Sequence, residues 1–128
     1  MKILLADPHL EVRAALRLVL EQQPGIHVAG EVRDAIGLIA WVANDCPDVI
    51  LLDPELPGVH MPRRVQMSSL AELVETLHKL CPAVRVIGLS SQPNAEKDCM
   101  LVKADAFFCK SDPPDALLAL LQHILPES

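Results

Sequence analysis

The chain predicts an α/β fold: a doubly wound, five-stranded parallel sheet in the order 2-1-3-4-5. Apolar runs too short for helices alternate with stretches of helical periodicity, the pattern of repeated βα units. Three of those runs are apolar at nearly every position, as central parallel strands covered on both faces require. The length of 128 residues, 51% of them hydrophobic, suits one compact domain over 1–128 that buries about two thirds of its unfolded surface.

The predicted strands are Ile3 to Ala6, His27 to Val32, Val49 to Leu52, Val84 to Leu89 and Ala106 to Cys109. After the first strand, Val12, Leu16, Val19 and Leu20 fall on one face of a helix that starts near Pro8 and is stopped by Pro24-Gly25. Asp34 caps a second helix running to Asp45. Leu70, Leu73, Val74, Leu77 and Leu80 carry a third, with Ser68 or Ser69 as its cap. Asn94 opens a short fourth. Asp112, Pro113 and Pro114 mark the start of a fifth, because proline suits a first helical turn, and Leu117, Leu118 and Leu121 form its buried face.

Composition excludes several classes. Eleven basic residues against 17 acidic ones, a net charge of −6, argue against a nucleic-acid or anionic-membrane binder, whose surface must neutralise phosphates. One Trp, two Phe and no Tyr leave few platforms on which bases stack. Cys46, Cys81, Cys99 and Cys109 form no CxxC pair and have no histidine cluster beside them, so they are expected to be reduced structural thiols. No run approaches the roughly 20 apolar residues of a membrane span, and MKILLAD meets an acid too early for a signal peptide. A soluble, cytoplasmic protein is expected.

Ligands of such sheets bind beyond the carboxyl ends of the strands, where the strand order reverses. Asp7 follows the first strand, Asp53 the third, Ser90 and Ser91 the fourth, and Lys110 the fifth. Two carboxylates, a hydroxyl and an ammonium on one rim suit a divalent cation and a phosphoryl group carried on an aspartate. The absence of a glycine-rich phosphate loop disfavours a flavin- or nucleotide-binding enzyme.

These segments together resemble the receiver domains of bacterial response regulators, which have the flavodoxin-like fold. KILLAD is similar to the family's first strand and acidic corner, PDVILLDPELPG to its phosphoacceptor strand, VIGLSS to the strand bearing a switch hydroxyl, and AFFCKSDPPDALLALL to the last strand and helix. The resemblance implies that Asp53 accepts a phosphoryl group from a histidine kinase or phosphotransfer protein. It implies that Lys110 contacts that group, that Ser90 and Phe107 form the switch, and that Asp7, Asp53 and the backbone carbonyl of Glu55 hold Mg2+. It further implies a downstream partner or an output domain outside this chain, is compatible with a homodimer, and implies no direct contact with nucleic acid or membrane. No enzymatic activity is expected beyond Mg-assisted self-phosphorylation and autodephosphorylation.

Departures from the family pattern are as informative. Pro8 stands where a second acid belongs and can neither ligate Mg2+ nor donate a backbone N–H, so the Mg2+ site is weakened or absent. Losing one charge-assisted contact costs about 1.5 to 3 kcal/mol, a slowing of about 10- to 100-fold if it all acts in the transition state. The Glu55 carboxylate is a candidate to compensate in part, and Pro54 stiffens the loop after Asp53. Ser90 lies 37 positions beyond Asp53, more than in ordinary receivers, which implies an insertion across 59–69. Arg63 and Arg64 in that segment read best as solvated loop residues. A glycine usual before the last strand is replaced around Lys103. His9 beside the acidic corner reads mainly as a surface group, with contact to a metal or phosphoryl group as the sharper alternative. Two functions stand against each other: a phosphoacceptor receiver, and a degenerate pseudo-receiver acting as a phosphorylation-independent interaction module.

Overall fold

The computed structural model describes residues 1–58, 66–92, 94–101 and 103–124. Most of the proposed 59–69 insertion, including Arg63 and Arg64, lies outside them. Five parallel strands, β1 (Lys2–Ala6), β2 (His27–Val32), β3 (Val49–Leu52), β4 (Arg85–Ser90) and β5 (Ala106–Cys109), form one sheet in the order β2-β1-β3-β4-β5. The helices are α1 (Leu10–Glu21), α2 (Ala35–Asn44), α3 (Gln66–Leu80), α4 (Ala95–Leu101) and α5 (Pro114–Ile124).

Side-chain alternation along the strands divides the core into two layers. Ile3, Leu5, Val49, Leu51, Ile87, Leu89 and Phe108 face one layer with Leu20 of α1 and Leu117 and Leu121 of α5. Leu4, Ala6, Ile50, Leu52 and Val86 face the other, with Leu38 of α2, Leu77 of α3 and Cys99 of α4. Both faces of the central strands are therefore dry, which is why their sequences show no polar alternation. Trp41 packs on the second layer, and its indole lies so close to Gly30 that a Cβ there would stand 2.5 Å from the ring nitrogen.

Several boundaries differ from the sequence expectations. Strand β4 lies one residue later than Val84 to Leu89, because Ser90 pairs in register with Cys109. Helix α1 begins at Leu10 with His9 at its N-cap, since the carboxylate of Asp7 is turned onto the His9 N–H and Pro8 lies in the turn between them. Helix α3 begins at Gln66, so Ser68 and Ser69 lie inside its first turn rather than at the position before it. Asp34 does cap α2, accepting from the Gly37 N–H at 2.7 Å.

The expectation of four reduced thiols fails. Cys46 and Cys81 form a disulfide, with Cα atoms 5.7 Å apart. Helices α2 and α3 pack side by side; Cys81 directly follows the end of α3, and Cys46 lies two residues beyond the end of α2. Their spacing of 35 residues carries no trace of this meeting.

Helix α4 ends in a Schellman turn: the Ala104 N–H bonds the Cys99 carbonyl at 3.0 Å and the Lys103 N–H bonds that of Met100 at 3.1 Å. Lys103 occupies the left-handed position of that turn at φ 67°, where a Cβ is strained and glycine is the usual residue. Its side chain is exposed. Lys103→Gly is therefore expected to stabilise the fold by about 1 kcal/mol, raising the melting temperature by about 4 °C. An unchanged or lower thermal midpoint by circular dichroism would contradict a strained turn.

Candidate functional site

Register alone brings the site together. Ala6 pairs with Leu52, so the next residues, Asp7 and Asp53, leave the sheet side by side, and the Asp53 N–H bonds the Ala6 carbonyl at 2.9 Å. Ser90 ends β4, and the N–H of Lys110 bonds its carbonyl at 2.9 Å. All four sit at the carboxyl edge of the sheet, beside the reversal between β1 and β3.

Asp7, Asp53 and Ser90 are 0%, 3% and 4% exposed, the buried polar or charged residues among the described ones. The Lys110 ammonium lies 2.7 Å from Asp7 Oδ2 and 2.6 Å from Asp53 Oδ2, bridging the carboxylates. Burial alone would lower the lysine's pKa, but contact with Asp53, then with Asp7, outweighs desolvation and leaves it above the ordinary lysine value. Asp53 Oδ1 accepts the Glu55 N–H at 2.7 Å. Asp7 Oδ1 accepts the His9 N–H at 2.8 Å and stands 3.0 Å from His9 Nδ1. Asp7 Oδ2 receives no well-aligned hydrogen bond among the described residues, and the ammonium is what offsets its burial.

The other expected residues take varied positions. Ser90 Oγ accepts the Gln92 N–H at 2.9 Å, closing the turn after β4. Phe107 is half-buried against the layer that contains α4 and touches the space above Gly88. The Glu55 side chain is exposed, and it is absent from the group of possible metal ligands, which comprises Asp7, His9 and Asp53. Arg13 joins the site although no sequence motif points to it. Its guanidinium donates to the Asp7 carbonyl at 2.7 Å and to Glu31 at 2.9 Å, tying the acidic corner to α1 and β2. The signal available in the sequence was a cation beside the apolar face of α1, between Val12 and Leu16.

The chain matches the response regulator receiver domain family over residues 3–122. It is a receiver domain. Receiver domains serve two-component signal transduction, and the sheet order agrees with the fold of solved examples. The receiver is 39% identical over 57 residues to response regulator UvrY of Escherichia coli K12, covering 44% of this chain and 26% of that protein. It is 30% identical over 91 residues to protein-glutamate methylesterase/protein-glutamine glutaminase 3 of Syntrophomonas wolfei, covering 71% and 24%. The chain thus spans about a quarter of the length of these curated relatives. Among solved structures, a LuxR-family two-component response regulator from Aurantimonas sp. SI85-9A1 superposes with a TM-score of 0.80 at 23% identity, over 96% of this chain and 83% of that one.

A divalent cation is expected of such a pocket. Two buried carboxylates converge, one with an oxygen lacking a well-aligned hydrogen bond, and the ligand atoms of Asp7, His9 and Asp53 all lie within 4.8 Å of one another. Hard oxygen donors in that number suit a divalent cation. The residues fit, although Pro8 withholds one carboxylate and the exposed Glu55 side chain does not replace it.

Proposed function

We propose that this receiver domain accepts a phosphoryl group on Asp53 from a histidine kinase or phosphotransfer protein, and that the acyl phosphate shifts a two-state surface read by a partner. The observation that carries this reading is the buried Asp53 carboxylate, held at Oδ2 by Lys110 and at Oδ1 by the Glu55 N–H, beside a second buried acid. An Asp53 oxygen attacks phosphorus, the phosphorus–nitrogen bond of a phosphohistidine breaks, and the imidazole departs with the bonding pair and takes up a proton. Lys110 follows the phosphoryl oxygens and offsets their charge. The Ser90 hydroxyl, whose oxygen already accepts one N–H, has its proton to donate to the new group. Phe107, half-buried beside Gly88, is the ring whose packing changes with it. A divalent cation, when bound by Asp7, Asp53 and the Glu55 carbonyl, supplies further positive charge to those oxygens.

This reading gives the domain no catalysis beyond its own phosphorylation and dephosphorylation. The matched methylesterase is about four times as long as the part this chain covers, so its activity does not carry over. The reading places the domain with its kinase in the cytoplasm, with output delivered by a partner or a further domain. Among the described residues no helix is long and apolar enough to cross a membrane. Beryllofluoride or acetyl phosphate with millimolar divalent cation is expected to form one adduct, seen by mass or fluorine resonance, that Asp53→Asn abolishes. An Asp53→Asn chain that still forms it, or a wild type that forms none, would overturn the proposal.

A second reading, the pseudo-receiver, is favoured by one observation: the Lys110 ammonium already pairs with both carboxylates, where Pro8 deprives a cation of one ligand. It predicts partner binding that is unchanged in Asp53→Ala.

A further inference from the structure

The acidic corner has exchanged one donor for another. Where Pro8 removes a carboxylate, the next residue brings an imidazole nitrogen to 3.0 Å from Asp7 Oδ1. Donors on a cation with bonds of about 2.1 Å stand roughly 3.0 Å apart at an octahedral centre and about 3.4 Å apart at a tetrahedral one, so this spacing lies near the bite of a chelate as well as that of a hydrogen bond. Asp53 supplies a third atom within the same 4.8 Å group. Lys110 contacts the Oδ2 atom of each carboxylate, while each Oδ1 atom accepts a backbone N–H, from His9 on Asp7 and from Glu55 on Asp53. The Asp7 carboxylate is held rigidly, because Arg13 grips its backbone carbonyl and the His9 N–H grips Oδ1. The His9 side chain is 53% exposed, so a cation exchanges there without any opening of the fold.

We propose that His9 is a metal donor, and that the pocket consequently takes a nitrogen-accepting first-row divalent cation, of the Mn2+ to Zn2+ class, in preference to Mg2+. This rests on the receiver reading of the same pocket. The chemistry follows from donor type. Mg2+ prefers oxygen donors and retains its waters, so an imidazole adds little for it. Mn2+ and, more strongly, Zn2+ gain from a neutral imidazole beside two carboxylates. Substitution of Pro for the second acid then changes which cation the pocket selects, rather than only weakening it.

The test is calorimetric titration of Zn2+, Mn2+ and Mg2+ separately into wild type, His9→Ala, His9→Gln and His27→Ala. Gln preserves a hydrogen bond to Asp7 without a ring nitrogen, and His27, exposed elsewhere, controls for surface binding. Both His9 variants are expected to lose Zn2+ affinity by about 10-fold or more, while their Mg2+ affinity and the Zn2+ affinity of His27→Ala change by less than about twofold. Zn2+ affinity retained within about threefold in His9→Gln and His9→Ala would overturn the inference. Beryllofluoride labelling of Asp53 in Mg2+ separates the two ideas. An adduct alongside unchanged Zn2+ affinity sinks the His9 role and leaves the receiver reading standing. Loss of Zn2+ affinity in the His9 variants without any wild-type adduct supports the donor role and overturns phosphoacceptance.

Discussion

Lys110→Met is expected to destabilise the domain by about 3 to 5 kcal/mol at neutral pH, the largest effect of any single change at the rim. The lysine side chain is 13% exposed and its ammonium lies within 2.7 Å of two carboxylates that are 0% and 4% exposed. Methionine keeps most of the stem's packing, so the loss isolates the charge. Without it, two buried anions face each other with no cation between them, and neither can recover its hydration. Adding Asp53→Asn removes one of those anions. The double variant is therefore expected to recover at least about 1 kcal/mol relative to Lys110→Met alone, a coupling that independent sites do not show. The pH dependence has a fixed sign. The folded-state pKa of Lys110 is raised, so its contribution is complete below the unfolded lysine value and is lost as pH climbs through the folded one. The stability gap between wild type and Lys110→Met should thus hold level from pH 7 to 9 and narrow above about pH 10.4. Urea denaturation at these pH values checks both statements, and a Lys110→Met chain within about 1 kcal/mol of wild type would contradict a desolvated triad.

Reducing the Cys46–Cys81 bridge should cost about 2 to 4 kcal/mol, a fall of roughly 10 °C in melting temperature. The bridge closes a loop of 35 positions, and cross-linking that loop removes conformations from the unfolded chain. The two cysteines allow this contribution to be separated from packing. Cys46 is exposed, so Cys46→Ala should match the reduced wild type. Cys81 is 2% exposed within the α2–α3 layer, so Cys81→Ala should lose more, through the cavity it leaves. Oxidised wild type and Cys46→Ala melting together would show that the bridge contributes nothing to stability. Disulfides are rare in reducing compartments, so the fraction oxidised in cells also bears on where this domain works.

Local rules account for the elements. The apolar runs of β1, β3 and β4 announce buried parallel strands, the Asp34 cap places α2, and the Pro113-Pro114 pair marks the start of α5. The βα alternation implies a doubly wound parallel sheet, and the observed order β2-β1-β3-β4-β5 matches the one expected, bringing Asp7, Asp53, Ser90 and Lys110 to one rim. All of this is legible because burial repeats with a fixed period along a strand or helix.

What the sequence by itself determined was the parallel sheet and the residue types at its carboxyl edge, through patterns spanning a few positions each. Only the tertiary structure decided which of those residues touch. The Cys46–Cys81 pairing depends on two helix ends meeting across 35 residues, and Arg13 reaches the Asp7 carbonyl because of how α1 lies on the sheet. Lys110 bridges both acids through the stacking of three neighbouring registers, and the 3.0 Å approach of His9 to Asp7 is set by the turn at Pro8. Contacts of this kind depend on distances through space, for which separation along the chain is no measure.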